Sequence, residues 1–165
     1  MYDFIKLDEH LPMEEVEINT LLEDAITDIK SKAVVKVLSP KRTFWEKVTL
    51  LHAENNIGRV ERVKERLSRH LYDIVMLSRS SIGQEALNDL ALLDTVAKHK
   101  AFYYRSNAAK YDEAKAGTLK IVPHGEILEA FKADYEKMRS MFAGEVLAFD
   151  VIIEELQILE KKINN

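Results

Sequence analysis

The sequence predicts a mainly α fold: a single helical-bundle-like domain over residues 1–165, with a small β element (about residues 2–7 and 33–38) near the N-terminus. Three observations predict it. Apolar residues recur at i, i+3 and i+4 spacing over most of the chain. Only five glycines and three prolines occur among 165 residues, which leaves little material for an all-β fold rich in tight turns. Hydrophobic residues make up 47% and charged residues 32%, a globular composition in a chain long enough to bury a core.

Each element follows from local pattern. Tyr2, Phe4, Ile5 and Leu7 read as a short strand over 2–7. After Pro12, the positions Ile18, Leu21, Leu22, Ala25, Ile26 and Ile29 fall at helical spacing, with acids placed early where the helix dipole favours them. Residues 33–38 (Ala33, Val34, Val35, Lys36, Val37, Leu38) read as a second strand. Ser39 and Pro40 make an N-cap followed by an N1 proline, so a helix starts there and runs to about Asn55, before Gly58. The next helix spans roughly 59–79, with Val60, Val63, Leu67, Leu71 and Ile74 on one side. Past Gly83, a helix over about 84–104 presents Leu87, Leu90, Leu93 and Val96. Residues 105–124, with Gly117 and Pro123, read as a long connection, and helices near 125–142 and 148–163 close the chain.

Composition excludes several chemistries. The absence of cysteine removes disulfides, thiolate metal sites and cysteine nucleophiles together. No apolar run approaches the ~20 residues needed to cross a bilayer, and no signal-peptide pattern opens the sequence, so a cytoplasmic protein without a membrane partner is expected. The five glycines are isolated, which excludes phosphate-cradling loops and serine nucleophile elbows. No His/Asp grouping completes a metal-dependent phosphohydrolase pattern, and no metal ligands are assigned.

Charge is distributed unevenly beneath a net of −4. Residues 1–29 hold nine acids against Lys6, whereas residues 30–79 hold twelve Lys/Arg against five Asp/Glu, a local net of +7. Such a basic segment either handles an anionic ligand or pairs with the acidic one.

Two groups of residues in the basic segment draw attention. In a helix, Phe44, Val48 and Leu51 form an apolar stripe, and Lys47 falls inside it. An ammonium there needs an ion pair, a route to water, or an anionic ligand such as phosphate. On the following helix, Arg59, Arg62, Arg66, Arg69 and Asp73 succeed one another at i+3 or i+4 steps, with His70 between this face and the apolar one. Four guanidinium groups on one stripe suit a polyphosphate or an RNA backbone, unless they are a solvated face with internal pairs. His52, on an apolar flank, reads as a satisfied core histidine. Phe102-Tyr103-Tyr104-Arg105, preceded by His99 and Lys100, either stacks on bases or closes a helix onto the core.

The run Leu38-Ser39-Pro40, Thr43-Phe44-Trp45-Glu46-Lys47 and Leu50-Leu51-His52 resembles a signature of the AbiEii/AbiGii toxin nucleotidyltransferases. Ser68-Arg69-His70-Leu71-Tyr72-Asp73, His99-Lys100, Asp134-Tyr135-Glu136-Lys137-Met138, and Met141-Phe142 through Phe149-Asp150 are similar to that family as well. The resemblance runs from about residue 34 to the C-terminus. It implies a DNA-polymerase-β-like enzyme that transfers nucleotides from NTPs with Mg²⁺. Such enzymes are the toxins of bacterial toxin–antitoxin or phage-defence pairs, with tRNA a target class. The family's later lysine and aspartate motifs map onto Lys47 and Asp73, implying a phosphate contact for Lys47 and a polar support or base role for Asp73. Arg62, Arg66, Arg69 and His70 are the accompanying phosphate-binding candidates.

One departure stands out. Family members carry a Gly-Ser element that holds the triphosphate and an Asp-x-Asp pair that holds the divalent ions, and this sequence contains neither. The chain is therefore expected to correspond to the C-terminal, mostly helical portion of such an enzyme and to be inactive alone. Its partners would be a nucleotide or RNA, a cognate antitoxin, or a missing N-terminal catalytic segment. The alternative is a degenerate helical interaction module that binds an antitoxin or dimerises, with Val151, Ile152, Leu156 and Leu159 as a candidate face.

Overall fold

The computed structural model describes residues 13–19, 32–142 and 146–165, with the side chains of Ile18, Asn19 and Lys32 left aside. Contacts gather the chain into two compact units, Met1–Pro40 and Lys41–Asn165. The fold is mainly helical with a two-stranded antiparallel sheet near the N-terminus, as predicted.

In the first unit, strand β1 (Met13–Asn19) pairs antiparallel with β2 (Lys32–Leu38), in a register that sets Val16 opposite Val35 and Glu15 opposite Lys36. The second strand is the predicted one. The first is a correction, because the helical spacing counted from Ile18 belongs partly to a strand. Glu15-Val16-Glu17-Ile18 also alternates acid with apolar residue, and cross-strand pairing with the valine-rich β2 selects that shorter period. The rest of that predicted helix (20–31) and the predicted strand at 2–7 lie outside the described residues. Ser39 closes the unit by donating its hydroxyl to Glu14 at 2.7 Å.

Helix α1 (Pro40–Ile57), close to the predicted 39–55, starts on the last residue of the first unit and supplies the opening residues of the second. Gly58, at φ +67°, ends it and donates its N–H to the Glu54 carbonyl, a left-handed C-terminal cap. The predicted helix over 59–79 is corrected. Val60–Arg62 is a single 3-10 turn, residues 64–68 form tight turns, and α2 spans only Arg69–Arg79. Arg66 sits at φ +70°, a conformation that no helix continues through. The predicted helix over 84–104 is two helices, α3 (Ser81–Leu87) and α4 (Leu90–Tyr103). Asp89 accepts the Leu92 N–H at 3.1 Å and starts α4 with its own cap; Ser80 does the same for α3 through Gly83.

The connection after α4 contains 3-10 turns at Asn107–Ala109 and Tyr111–Glu113. It is pinned from several sides. Glu160 accepts the Ile121 and Val122 N–H groups, Asn164 exchanges two hydrogen bonds with the Leu119 backbone, and His52 accepts the Lys120 N–H. Two helices complete the unit, α5 (Gly125–Met138) and α6 (Phe149–Asn164). Phe44, Trp45, Val48 and Leu51 of α1, Leu71, Ile74 and Val75 of α2, Phe131 and Tyr135 of α5, and Ile152 and Leu156 of α6 share one buried core. No helix among the described residues is long and apolar enough to cross a membrane.

Candidate functional site

The α1 stripe is buried as expected, with Phe44, Val48 and Leu51 fully inaccessible. Lys47, on its edge, reaches Asp73 of α2, and the ammonium donates to Asp73 Oδ2 at 2.7 Å. It also lies 3.4 Å from His70 Nδ1. The pair is not sealed in: the Lys47 side chain is 20% exposed and that of Asp73 35%. Burial pushes the His70 imidazole down to about 4, with Lys47 and Arg69 adding to the shift. His70 is therefore neutral near pH 7, and its Nδ1 accepts from the lysine without adding charge.

Glu46, the neighbour of Lys47, anchors a second ionic group. Its carboxylate lies 3.2 Å from Arg42 Nη2 and 3.7 Å from Lys100 Nζ, and its carbonyl accepts from Lys100 at 2.6 Å. Arg42 and Lys100 are both buried, and Nε and Nη1 of Arg42 have no hydrogen-bond partner. Burial lowers the Lys100 pKa against the pull of Glu46. Arg42, Glu46 and Lys47 thus lie on two sides of α1, one set tying it to α4 and the other to α2.

The arginine stripe does not exist as a stripe. Its premise was one continuous helix over 59–79, and the turns around Arg66 remove that premise. Arg62 is committed to Glu54, with Nε–Oε2 at 2.8 Å and Nη2–Oε1 at 2.6 Å, a fork that keeps it charged and ties the 3-10 turn to α1. Arg66 contributes its backbone N–H to Asp134 and leaves its side chain exposed. Arg69 alone of the four shares α2 with Asp73, one helical turn before it, and its side chain is exposed. The structure therefore brings together Lys47, His70 and Asp73, with Arg69 on the same helix as the last two, and pairs Arg62 with Glu54.

Sequence reasoning named Asp134 only within a family-like run and missed that it positions this group. Asp134, nearly buried on α5, accepts the N–H of Arg66 at Oδ1 and of Ser68 at Oδ2, both at 2.8 Å. The Ser68 hydroxyl reaches Met138 Sδ at 3.3 Å, and the Tyr135 hydroxyl donates to the Leu147 carbonyl at 2.8 Å. The residues Asp134, Tyr135 and Met138 thus hold the start of α2 and the chain beyond α5. An aspartate among apolar neighbours at i−3 and i+4 (Phe131, Met138) was the available signal.

His52 behaves as the sequence suggested. It is buried, with Nδ1 accepting from Lys120 N and Nε2 facing the Lys110 carbonyl at 3.0 Å, and burial lowers its pKa.

A family model described as "Nucleotidyl transferase AbiEii toxin, Type IV TA system" matches residues 3–155. The chain belongs to the AbiEii toxin nucleotidyltransferase family. Neither the curated proteins nor the solved structures contain a match. The family match begins earlier than the resemblance noted from residue 34, and it includes every residue of the Lys47 group. A type IV toxin–antitoxin family implies an antitoxin as partner. Among the described residues, no three His, Cys, Asp or Glu side chains are grouped to hold a metal ion. Asp73 is engaged with Lys47, and Asp134 with two backbone N–H groups, so neither offers a free carboxylate pair.

Proposed function

We propose that this chain is the C-terminal region of an AbiEii-family toxin of a toxin–antitoxin or phage-defence pair. In this reading it contributes phosphate contacts to a nucleotide or RNA through Lys47 and does not transfer nucleotides by itself. The observation that carries the reading is the partly exposed Lys47–Asp73 pair, joined by a neutral His70, with the exposed Arg69 on the same helix as Asp73. Asp73 holds the ammonium in place without sealing it from solvent, so an incoming phosphate oxygen meets an oriented donor. The missing Gly-Ser and Asp-x-Asp elements support the absence of independent transfer; NTP and Mg²⁺ would serve a complete family enzyme.

Binding of a fluorescent NTP analogue to the full chain tests this. Lys47→Ala is expected to weaken binding about ten-fold, the scale of one charge-assisted hydrogen bond. An unchanged affinity would remove Lys47 from the site. Incubation with labelled NTPs, RNA and Mg²⁺ should give no incorporation, and any incorporation would overturn the inactive half of the proposal.

A second reading, an antitoxin-binding or dimerisation module, is favoured by one feature of α6. Ile152, Leu156 and Leu159 are core, but Val151 and Ile158, seven residues apart on one face, are 38% and 67% exposed. Light scattering of the purified chain, alone and with its antitoxin, tests it; a monomer under both conditions would exclude it.

A further inference from the structure

Three consecutive aromatic residues finish α4 and lead into the connection. Phe102 is 64% exposed, Tyr103 37% and Tyr104 62%. They do not close the helix onto the core, because Leu92, Leu93, Val96, Ala97 and Lys100 already fill that side of α4. The Phe102 and Tyr103 rings meet edge to face with centroids 5.0 Å apart. The Arg105 guanidinium lies over the Phe102 ring, 5.8 Å from its centroid. A flat cationic group and a flat ring are thus held together in solvent.

Beside them lies an open cleft of about 370 Å³, lined by Phe102, Arg105, Ser106, Asn107, Tyr111 and Asp112. Its volume falls at the lower end of small-ligand sites. Among the described residues, the side chains of Ser106, Asn107 and Asp112 have no hydrogen bond within the protein, and Arg105 has no ion pair. One amide, one hydroxyl, one carboxylate and one guanidinium therefore line the cleft beside an aromatic ring, exposed to solvent and without hydrogen-bond or ion-pair partners within the protein. Planar ligands with donors and acceptors around their edge match that set. We infer that this cleft binds an unpaired nucleobase, stacked against Phe102 and Arg105 and read at its edge by Asn107 and Asp112.

The surrounding charge argues for recognition of the base rather than of phosphate. Asp112 offsets Arg105, Lys110 is paired with Glu113 at 2.9 Å, and Lys98 with Asp94 at 3.5 Å. Binding here should therefore depend only weakly on salt. The lining of the cleft includes none of Lys47, Arg69, His70 and Asp73, so its function does not depend on the role proposed for that lysine. A base can arrive on a free nucleotide or on a single-stranded RNA; the two sources share this chemistry.

Fluorescence anisotropy of the full chain with a labelled single-stranded oligoribonucleotide, and with the same strand in a duplex, provides the test. The single strand should bind at least about ten-fold more tightly than the duplex, because pairing hides the base faces. Phe102→Ala and Arg105→Ala should each weaken binding by about ten-fold, and Phe102→Tyr should retain it. Both residues are exposed, so circular dichroism melting should be unchanged in all three variants. Lys47→Ala should leave the stacking contribution intact, which separates this site from the lysine site. Displacement by free nucleosides assigns the cleft to a nucleotide; displacement by RNA strands alone assigns it to an RNA. No oligonucleotide binding, equal binding of the duplex, or an unaltered Phe102→Ala variant would overturn the inference. Loss of a protein partner in that variant, with oligonucleotide binding intact, would overturn it in favour of a protein-docking face.

Discussion

Asp134 on α5 accepts the backbone N–H of Ser68, the residue before α2, at 2.8 Å, and its other oxygen accepts the N–H of Arg66 at the same distance. One carboxylate thereby replaces the carbonyls that would have continued a helix through this segment. It also sets the first turn of α2, from which His70 and Asp73 reach Lys47.

Removing that carboxylate leaves two N–H groups without partners in a largely buried place. Asp134→Ala is expected to cost about 3 kcal/mol, and Asp134→Asn, which keeps one acceptor, about half as much. Urea midpoints of the two variants check this. A midpoint for Asp134→Ala within error of wild type would show that water replaces the carboxylate at little cost.

His70 makes stability depend on pH. Its folded pKa is pushed down to about 4, mainly by burial, while an unfolded histidine titrates near 6.5. Between these values the unfolded chain binds more protons, so stability falls as pH falls from about 6.5 to about 4 and is flat in this term on either side. Partial solvent exposure reduces the full linkage value, and about 1–2 kcal/mol is expected. His52, also lowered by burial, adds with the same sign. The loss of stability between about pH 7.5 and 5 should therefore be smaller in His70→Gln than in wild type. An identical loss in both proteins would place the titration elsewhere.

Gly83 sits where α2 turns into α3. A Cβ built there would lie 2.0 Å from the Leu77 carbonyl oxygen and 2.7 Å from the Ser78 Cα, both backbone atoms that cannot rotate away. Alanine gains about 1 kcal/mol of helix propensity over glycine, but the clash opposes it by more. A net destabilisation of about 2 kcal/mol, read as a melting point lowered by about 5 °C, is the expected outcome for Gly83→Ala. A raised melting point would mean that the turn widens freely.

Much of the fold was legible in local pattern. Ser39-Pro40 and Gly58 bracket α1 because a cap, a fixed proline φ and a left-handed glycine act within a few residues of themselves. The valine run of β2, the long connection and the two closing helices followed from similarly local signals. Two of the errors, at the helices predicted over 59–79 and 84–104, come from captured N–H groups. Asp89 and Asp134 each capture backbone N–H groups, Asp89 within its own turn and Asp134 from sixty-eight residues away. A local reading could find the Asp89 cap, but not which N–H groups Asp134 takes from so far along the chain. Spacing in β1 was ambiguous because seven residues satisfy a period of 2 about as well as one of 3.6, and pairing decides between them.

The candidate site divides along the same line. The sequence by itself determined that Lys47 sits on the edge of a buried stripe, because α1 is regular and helical period places each side chain. It also determined the family, through motifs spread along the chain. Only the tertiary structure decided what Lys47 meets, and that four arginines at helical spacing do not share a face. Their spacing carries meaning only if the helix continues, and the Asp134 carboxylate, supplied from a distant element, ends it at Arg66.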